Sequence, residues 1–123
     1  MAHKILIVDD SKTVRQQVAV ALTQANFLTV EAGDGQEALD QLAKNTDVKL
    51  IICDVNMPRM PGLEFLAVMK QSGKVGNPPI VMLTTEGKSD VIEKAKSLGA
   101  RGWIVKPFKA DHLIAAAKKL TGA

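Results

Sequence analysis

Five side chains of this 123-residue chain are of types and spacings from which a reaction centre could be built: Asp9, Asp10, Asp54, Thr84 and Lys106. They stand at or just past the ends of four short apolar runs, Ile5-Leu6-Ile7-Val8, Leu50-Ile51-Ile52-Cys53, Ile80-Val81-Met82-Leu83 and Trp103-Ile104-Val105. Singly they are ordinary, because an Asp at a strand-to-helix junction caps helices, a Thr serves turns and a Lys is a common surface charge. Together they offer three carboxylates, a hydroxyl and an ammonium at equivalent positions. Two ionised carboxylates about 4 Å apart repel by roughly 4 kcal/mol at an effective dielectric near 20, so three of them call for a cation or raised pKa values. The donors are oxygens, which favours a hard ion, Mg²⁺, over Zn²⁺. Cys53, the one cysteine, falls inside an apolar run and is expected in the core. Mg²⁺ shares its shell readily with phosphoryl groups, and an ammonium and a hydroxyl opposite would bind the remaining phosphoryl oxygens. The chemistry indicated is phosphoryl transfer by positioning and charge neutralisation.

These positions have meaning only if the runs before them are strands of one sheet. Ile5–Val8, Leu50–Cys53 and Ile80–Leu83 are continuously apolar, the pattern of strands buried on both faces. Leu28–Ala32 is a weaker strand and Trp103–Val105 a fifth. Helical stripes lie between them. Val14, Val18 and Leu22 follow Ser11 and end near Asn26; Ala38, Leu39 and Leu42 follow an Asp34-Gly35 turn; Phe65, Leu66 and Met69 follow Gly62. Val91, Ile92, Ala95 and Leu98 point inward from a helix capped by Ser89 or Asp90 and closed before Gly99, and Leu113, Ile114, Ala117 and Leu120 share a face of a last helix over 111–120. Residues 73–79 read as a linker. Five strands alternating with five helices make an α/β domain, a doubly wound parallel sheet covered on both faces, whose working groups lie beyond the carboxyl ends of the strands. No G-x-G-x-x-G follows any strand, which disfavours a dinucleotide site.

Composition sets the outer bounds. At 13.2 kDa with 46% hydrophobic residues the chain makes one domain over residues 1–123, with no apolar run near the roughly 20 residues of a membrane helix. A cytoplasmic protein is expected, without membrane insertion. The net charge of +3 is uneven: residues 1–85 carry 8 Lys and Arg against 9 Asp and Glu, residues 86–123 carry 8 against 4. With three Phe, one Trp and no Tyr, that basic end is poorly equipped to stack on bases, so nucleic acid is disfavoured and a solvated surface or an acidic protein partner is favoured.

The segments I-L-I-V-D-D (5–10), C-D-V-N-M-P-R-M-P-G (53–62), L-T-T-E (83–86) and W-I-V-K-P-F (103–108) resemble the receiver domain of two-component response regulators, and most closely the stand-alone, CheY-like regulators of chemotaxis. The resemblance spans essentially the whole chain. It implies a (βα)5 flavodoxin-like fold with strand order 2-1-3-4-5 and no output domain. It implies Asp54 as phosphoacceptor, Asp9, Asp10, Asp54 and the Asn56 backbone carbonyl as Mg²⁺ ligands, Lys106 as phosphoryl counter-charge, Thr84 as switch hydroxyl, and a cis Lys106-Pro107 bond. Asn56 and Glu86, two residues beyond the acceptor and the switch Thr, would tune self-hydrolysis. The implied partners are a histidine kinase or phosphotransfer domain and a downstream protein, a flagellar motor switch or a relay component, met by a monomer through the fourth helix, fifth strand and fifth helix.

Two residues depart from the family pattern. Trp103 stands where Tyr or Phe is usual, as a switch aromatic or as core, and Pro61 stands where Asp often precedes Gly62, which removes a helix cap. His3 and His112 are isolated and read as surface residues. Met57 and Met60 flank the acceptor and could serve a partner or pack on their own loop. A phosphorylatable switch is preferred over two other classes. One is a small Mg²⁺-dependent phosphatase with an Asp nucleophile, which would want an acid or base where Asn56 stands. The other is an unphosphorylated interaction module, which would not need Asp54, Thr84 and Lys106 together.

Overall fold

The computed structural model describes residues 3–57, 59–72, 78–85 and 89–122. In chain order the elements are β1 (Lys4–Val8), α1 (Lys12–Gln24), β2 (Leu28–Ala32), α2 (Gly35–Lys44), β3 (Val48–Asp54), α3 (Gly62–Gln71), β4 (Ile80–Thr84), α4 (Ser89–Ser97), β5 (Gly102–Val105) and α5 (Ala110–Thr121). All neighbouring strands pair parallel, in the order β2-β1-β3-β4-β5. The order reverses between β1 and β3, the kind of point beyond whose strand ends open α/β sheets carry their sites.

The period of two along each strand divides the core. Leu6, Val8, Ile51, Cys53, Ile80 and Met82 face one way and pack with Ala38, Phe65, Leu66, Met69 and Ala95 of α2, α3 and α4. Ile5, Ile7, Leu50, Ile52, Val81 and Leu83 face the other and pack with Val18, Ala21 and Leu22 of α1 and Leu113 and Ala117 of α5. The three continuously apolar strands are therefore central, while Leu28 at the edge on β2 is 53% exposed.

Several sequence expectations need correction. Asp34-Gly35 is no free turn: Asp34 caps α2, its carboxylate accepting the Glu37 N–H at 2.8 Å, and Gly35 is the first helical residue. Neither Ser89 nor Asp90 precedes α4, since both lie in its first turn. Ile92 and Ile114, expected inward, are only partly buried and join neither core cluster. The helices they sit on cover the outer side of the sheet with a narrow stripe, Val91-Ala95-Leu98 and Leu113-Ala117-Leu120, and an adjacent residue is turned about 100° away. β3 begins two residues earlier than the apolar run, and β4 extends to include Thr84. Most of the expected linker, together with Glu86, lies outside the described residues. No described helix is long and apolar enough to cross a membrane.

Candidate functional site

Parallel pairing aligns Val8 with Cys53, Asp54 with Leu83 and Thr84 with Val105, so the residues at and after these positions emerge on one edge. Carboxylate oxygens of Asp9, Asp10 and Asp54 come within 4.8 Å of one another there. Asp9 and Asp54 are buried and Asp10 is exposed, so the cluster has a closed floor and an open mouth. Lys106 reaches in from the end of β5. Its Nζ donates to Asp9 Oδ2 at 2.8 Å and lies 3.5 Å from Asp54 Oδ1.

Asp9 has two duties. Its Oδ1 accepts the Ser11 N–H at 2.9 Å where the chain turns into α1, while Ser11 itself caps that helix through Val14. Asp9 is thus not the cap of α1: one of its oxygens holds the turn into the helix and the other meets Lys106. Arg15, one turn into α1, donates to the Asp9 backbone carbonyl at 2.6 Å and pairs with Glu31, which fixes the main chain at the acidic corner. Arg15 has no counterpart among the expected site residues, and nothing in its spacing distinguished it from a solvated helix position.

At Asp54, burial raises the carboxyl pKa first and the neighbouring Asp9 charge raises it further, against the opposing pull of Lys106 and of the Asn56 backbone N–H. Burial alone would lower the Lys106 pKa, but the hydrogen bond to Asp9 and the charges of Asp54 and Asp9 outweigh it and leave the ammonium more firmly protonated. Among the described residues one ammonium faces three carboxylates, a deficit of two positive charges. With their oxygens no more than 4.8 Å apart and an effective dielectric near 20, Asp9 and Asp54 alone repel by at least about 3 kcal/mol. The donors are all oxygen and their deficit matches a divalent charge, so the residues fit a hard cation such as Mg²⁺.

Thr84 is fully buried at the end of β4, and its carbonyl accepts the Lys106 N–H at 2.7 Å, tying the β5 end to the β4 end. The Lys106-Pro107 bond is cis, as expected. Trp103, paired with Met82 in register, packs against the cluster that contains Phe65 and Ala95, and its buried Nε1 finds no acceptor among the described residues. Pro61 precedes α3 with no side-chain cap, and Gly62 N–H donates to Val55 O at 2.9 Å. Met57 is buried, and Met60, partly buried, packs on the same core. The Cys53 thiol is buried, and burial pushes its pKa strongly upward. His112 is exposed and His3 partly buried.

Residues 5–118 match the family model of the response regulator receiver domain. The chain is 47% identical over 112 residues to a chemotaxis protein CheY homolog of Campylobacter jejuni, covering 89% of this chain and 85% of the relative. It is 41% identical over 112 residues to chemotaxis protein CheY1 of Helicobacter pylori, covering 89% and 90%. Among solved structures, chemotaxis protein CheY4 of Vibrio cholerae superposes with a TM-score of 0.89 at 38% identity, covering 98% of this chain and 99% of that one.

Proposed function

The chain belongs to the response regulator receiver domain family, and from that premise we propose that it is a two-component switch of the chemotaxis type, operated by phosphorylation of Asp54. One observation carries the reading: the Asp9, Asp10 and Asp54 oxygens converge within 4.8 Å beside the Lys106 ammonium. A carboxylate oxygen of Asp54 forms a bond to phosphorus as the bond from phosphorus to the donor's leaving atom breaks. That atom, an imidazole nitrogen of a kinase phosphohistidine or the acetate oxygen of acetyl phosphate, departs with the electron pair.

Asp9, Asp10, Asp54 and the Asn56 backbone carbonyl would hold Mg²⁺, which neutralises charge on phosphoryl oxygens. Lys106 supplies the fixed positive charge on the other side, and Thr84 a hydroxyl for a phosphoryl oxygen. Asn56, at the exposed mouth, and Glu86 tune how readily water reaches the phosphorus. Phosphorylation adds about −1.5 to −2 charge units and strong acceptor oxygens, which draws Lys106 and Thr84 toward Asp54. Trp103 would respond, because its buried indole N–H has no acceptor among the described residues and an unpaired group of that kind costs about 1–3 kcal/mol.

The readout is contact with other proteins, not turnover of a substrate. Exposed Lys94, Lys96, Arg101, Lys109, Lys118 and Lys119 make the α4-β5-α5 side basic, which suits an acidic or amphipathic segment of a motor switch or relay protein meeting a cytoplasmic monomer. Intact mass after incubation with acetyl phosphate tests the core of the reading. One phosphoryl group is expected with Mg²⁺, none without it and none on Asp54→Asn, with Trp103 fluorescence changing in step. Failure to accept a phosphoryl group from acetyl phosphate or from a phosphorylated histidine kinase would overturn it.

A further inference from the structure

The acceptor loop, residues 55–61, is held at its far side by α2. Arg59 Nε donates to Asp34 Oδ2 at 2.8 Å and Arg59 Nη2 donates to the same oxygen. Asp34 is a stiff anchor: its side chain is 7% exposed and its other oxygen is committed to the Glu37 N–H. Beside this pair the Gly35 N–H donates to the Met60 carbonyl at 3.2 Å, and the Met60 side chain occupies the space above Gly35, where a Cβ would lie 2.6 Å from Met60 Cγ. Arg59 has φ 62°, a left-handed conformation that costs a non-glycine residue about 1–2 kcal/mol, so the loop needs contacts that offset it. The Asp34 pair and the Met60 contacts are the ones present on this side. Three residues upstream of Arg59 is Asn56, exposed at the mouth of the cluster, whose backbone carbonyl is the fourth of the proposed cation ligands.

We propose that Arg59 is a positioning residue: its ion pair with Asp34 clamps the acceptor loop to the N-terminus of α2 and so holds the Asn56 backbone in place for the cation. The inference rests on the reading of Asp9, Asp10, Asp54 and Asn56 as the cation ligands. Groups that orient metal ligands from outside the coordination shell govern affinity, at about 10- to 100-fold each when buried. Arg59 is 67% exposed, which places its effect at or below the lower end of that range, about fivefold.

The test compares wild type with Arg59→Asn, Arg59→Lys, Asp34→Ser and the Arg59→Asn/Asp34→Ser double variant. Asn tolerates the left-handed conformation and Ser still caps α2, so neither strain nor helix fraying is introduced. Mg²⁺ binding is measured by calorimetry, amide exchange at Asn56 and Met57 in metal-free protein, and the acetyl phosphate reaction rate as a function of Mg²⁺. Arg59→Asn and Asp34→Ser are each expected to weaken Mg²⁺ binding about fivefold and to speed Asn56 exchange. Their maximal rate at saturating Mg²⁺ should stay near wild type, the double variant should be no worse than either single one, and Arg59→Lys should recover part of the loss. Wild-type Mg²⁺ affinity in both single variants, additive losses, or a loss confined to Asp34→Ser would overturn the clamp while leaving the cation site intact. A wild type that binds no Mg²⁺ would overturn the site reading and the clamp with it.

Discussion

Gly62→Ala sets two physical effects of opposite sign against each other. Gly62 opens α3, where helix propensity favours Ala over Gly by at most about 1 kcal/mol. Its environment forbids the methyl: a Cβ there would lie 2.1 Å from the Asp54 carbonyl oxygen, 2.9 Å from Val55 Cα and 2.9 Å from Met82 Cε. Ordinary C···O contact is about 3.3 Å, so something must move by about 1 Å. The obstacle is backbone, and Asp54 is held in register opposite Leu83, so relief cannot come from a side-chain rotation. Overpacking of this kind costs about 1–3 kcal/mol and more against a rigid partner. The expected net is a loss of about 2 kcal/mol, read as a fall of about 1 M in urea midpoint at unchanged m-value. Because the displaced carbonyl belongs to Asp54, the proposed acceptor, the acetyl phosphate reaction at saturating Mg²⁺ should slow by about 10²-fold. Gly33→Ala is the control, since its Cβ would meet Glu37 Oε2 at an ordinary 3.4 Å and should change stability by less than about 0.5 kcal/mol. A Gly62→Ala protein as stable as wild type, reacting at the wild-type rate, would refute the close-approach argument.

Lys106→Met leaves the buried Asp9 and Asp54 without their cation and should destabilise metal-free protein by about 3 kcal/mol, with Mg²⁺ restoring part of it in a thermal melt. At ten times its dissociation constant, Mg²⁺ should stabilise wild type by about 1.4 kcal/mol and raise the melting temperature by about 5 °C, a rise that Asp54→Asn should largely abolish. Asp34 is held below the usual carboxylate range by the Glu37 N–H and by Arg59, so its ionised form favours the folded state. That contribution is present above the unfolded pKa near 3.8 and is lost as pH falls through the lower folded value. Asp34→Asn keeps a capping oxygen, so its deficit in chemical-denaturation stability should be present at pH 7 and close below about pH 3.8.

What was legible in the sequence followed from one constraint. Parallel strands must all end on the same side, so the continuous apolar runs before Asp9, Asp54, Thr84 and Lys106 were enough to gather them on one edge. The pairings within that edge were not legible, because Lys106 and Asp9 are 97 residues apart and no periodicity links them. The Arg59–Asp34 pair, 25 residues apart, was hidden for the same reason. A partial signal existed, since Asp34 and Glu37 have the spacing of a capping box, although Glu37 reaches one residue further back and accepts the Gly33 N–H at 3.2 Å in place of that of Asp34. The inward placing of Ile92 and Ile114 failed because an apolar pattern specifies a face but not how wide a stripe the neighbouring sheet can cover.

Lys106 shows why such an edge can act as a switch. Its ammonium is shared between Asp9 at 2.8 Å and Asp54 at 3.5 Å, which at an effective dielectric near 20 correspond to attractions of about 6 and 5 kcal/mol. A preference of about 1 kcal/mol for Asp9 is smaller than the effect of any charge added on the Asp54 side. A phosphoryl group there would bring about −1.5 to −2 units and reverse the ordering. The side chain cannot follow that charge in isolation, because the Lys106 N–H is bonded to the Thr84 carbonyl and the residue continues β5 directly. Any movement of Lys106 is therefore shared by the ends of β4 and β5, and Trp103, three residues back on β5 with a buried N–H that has no acceptor among the described residues, stands to gain from it.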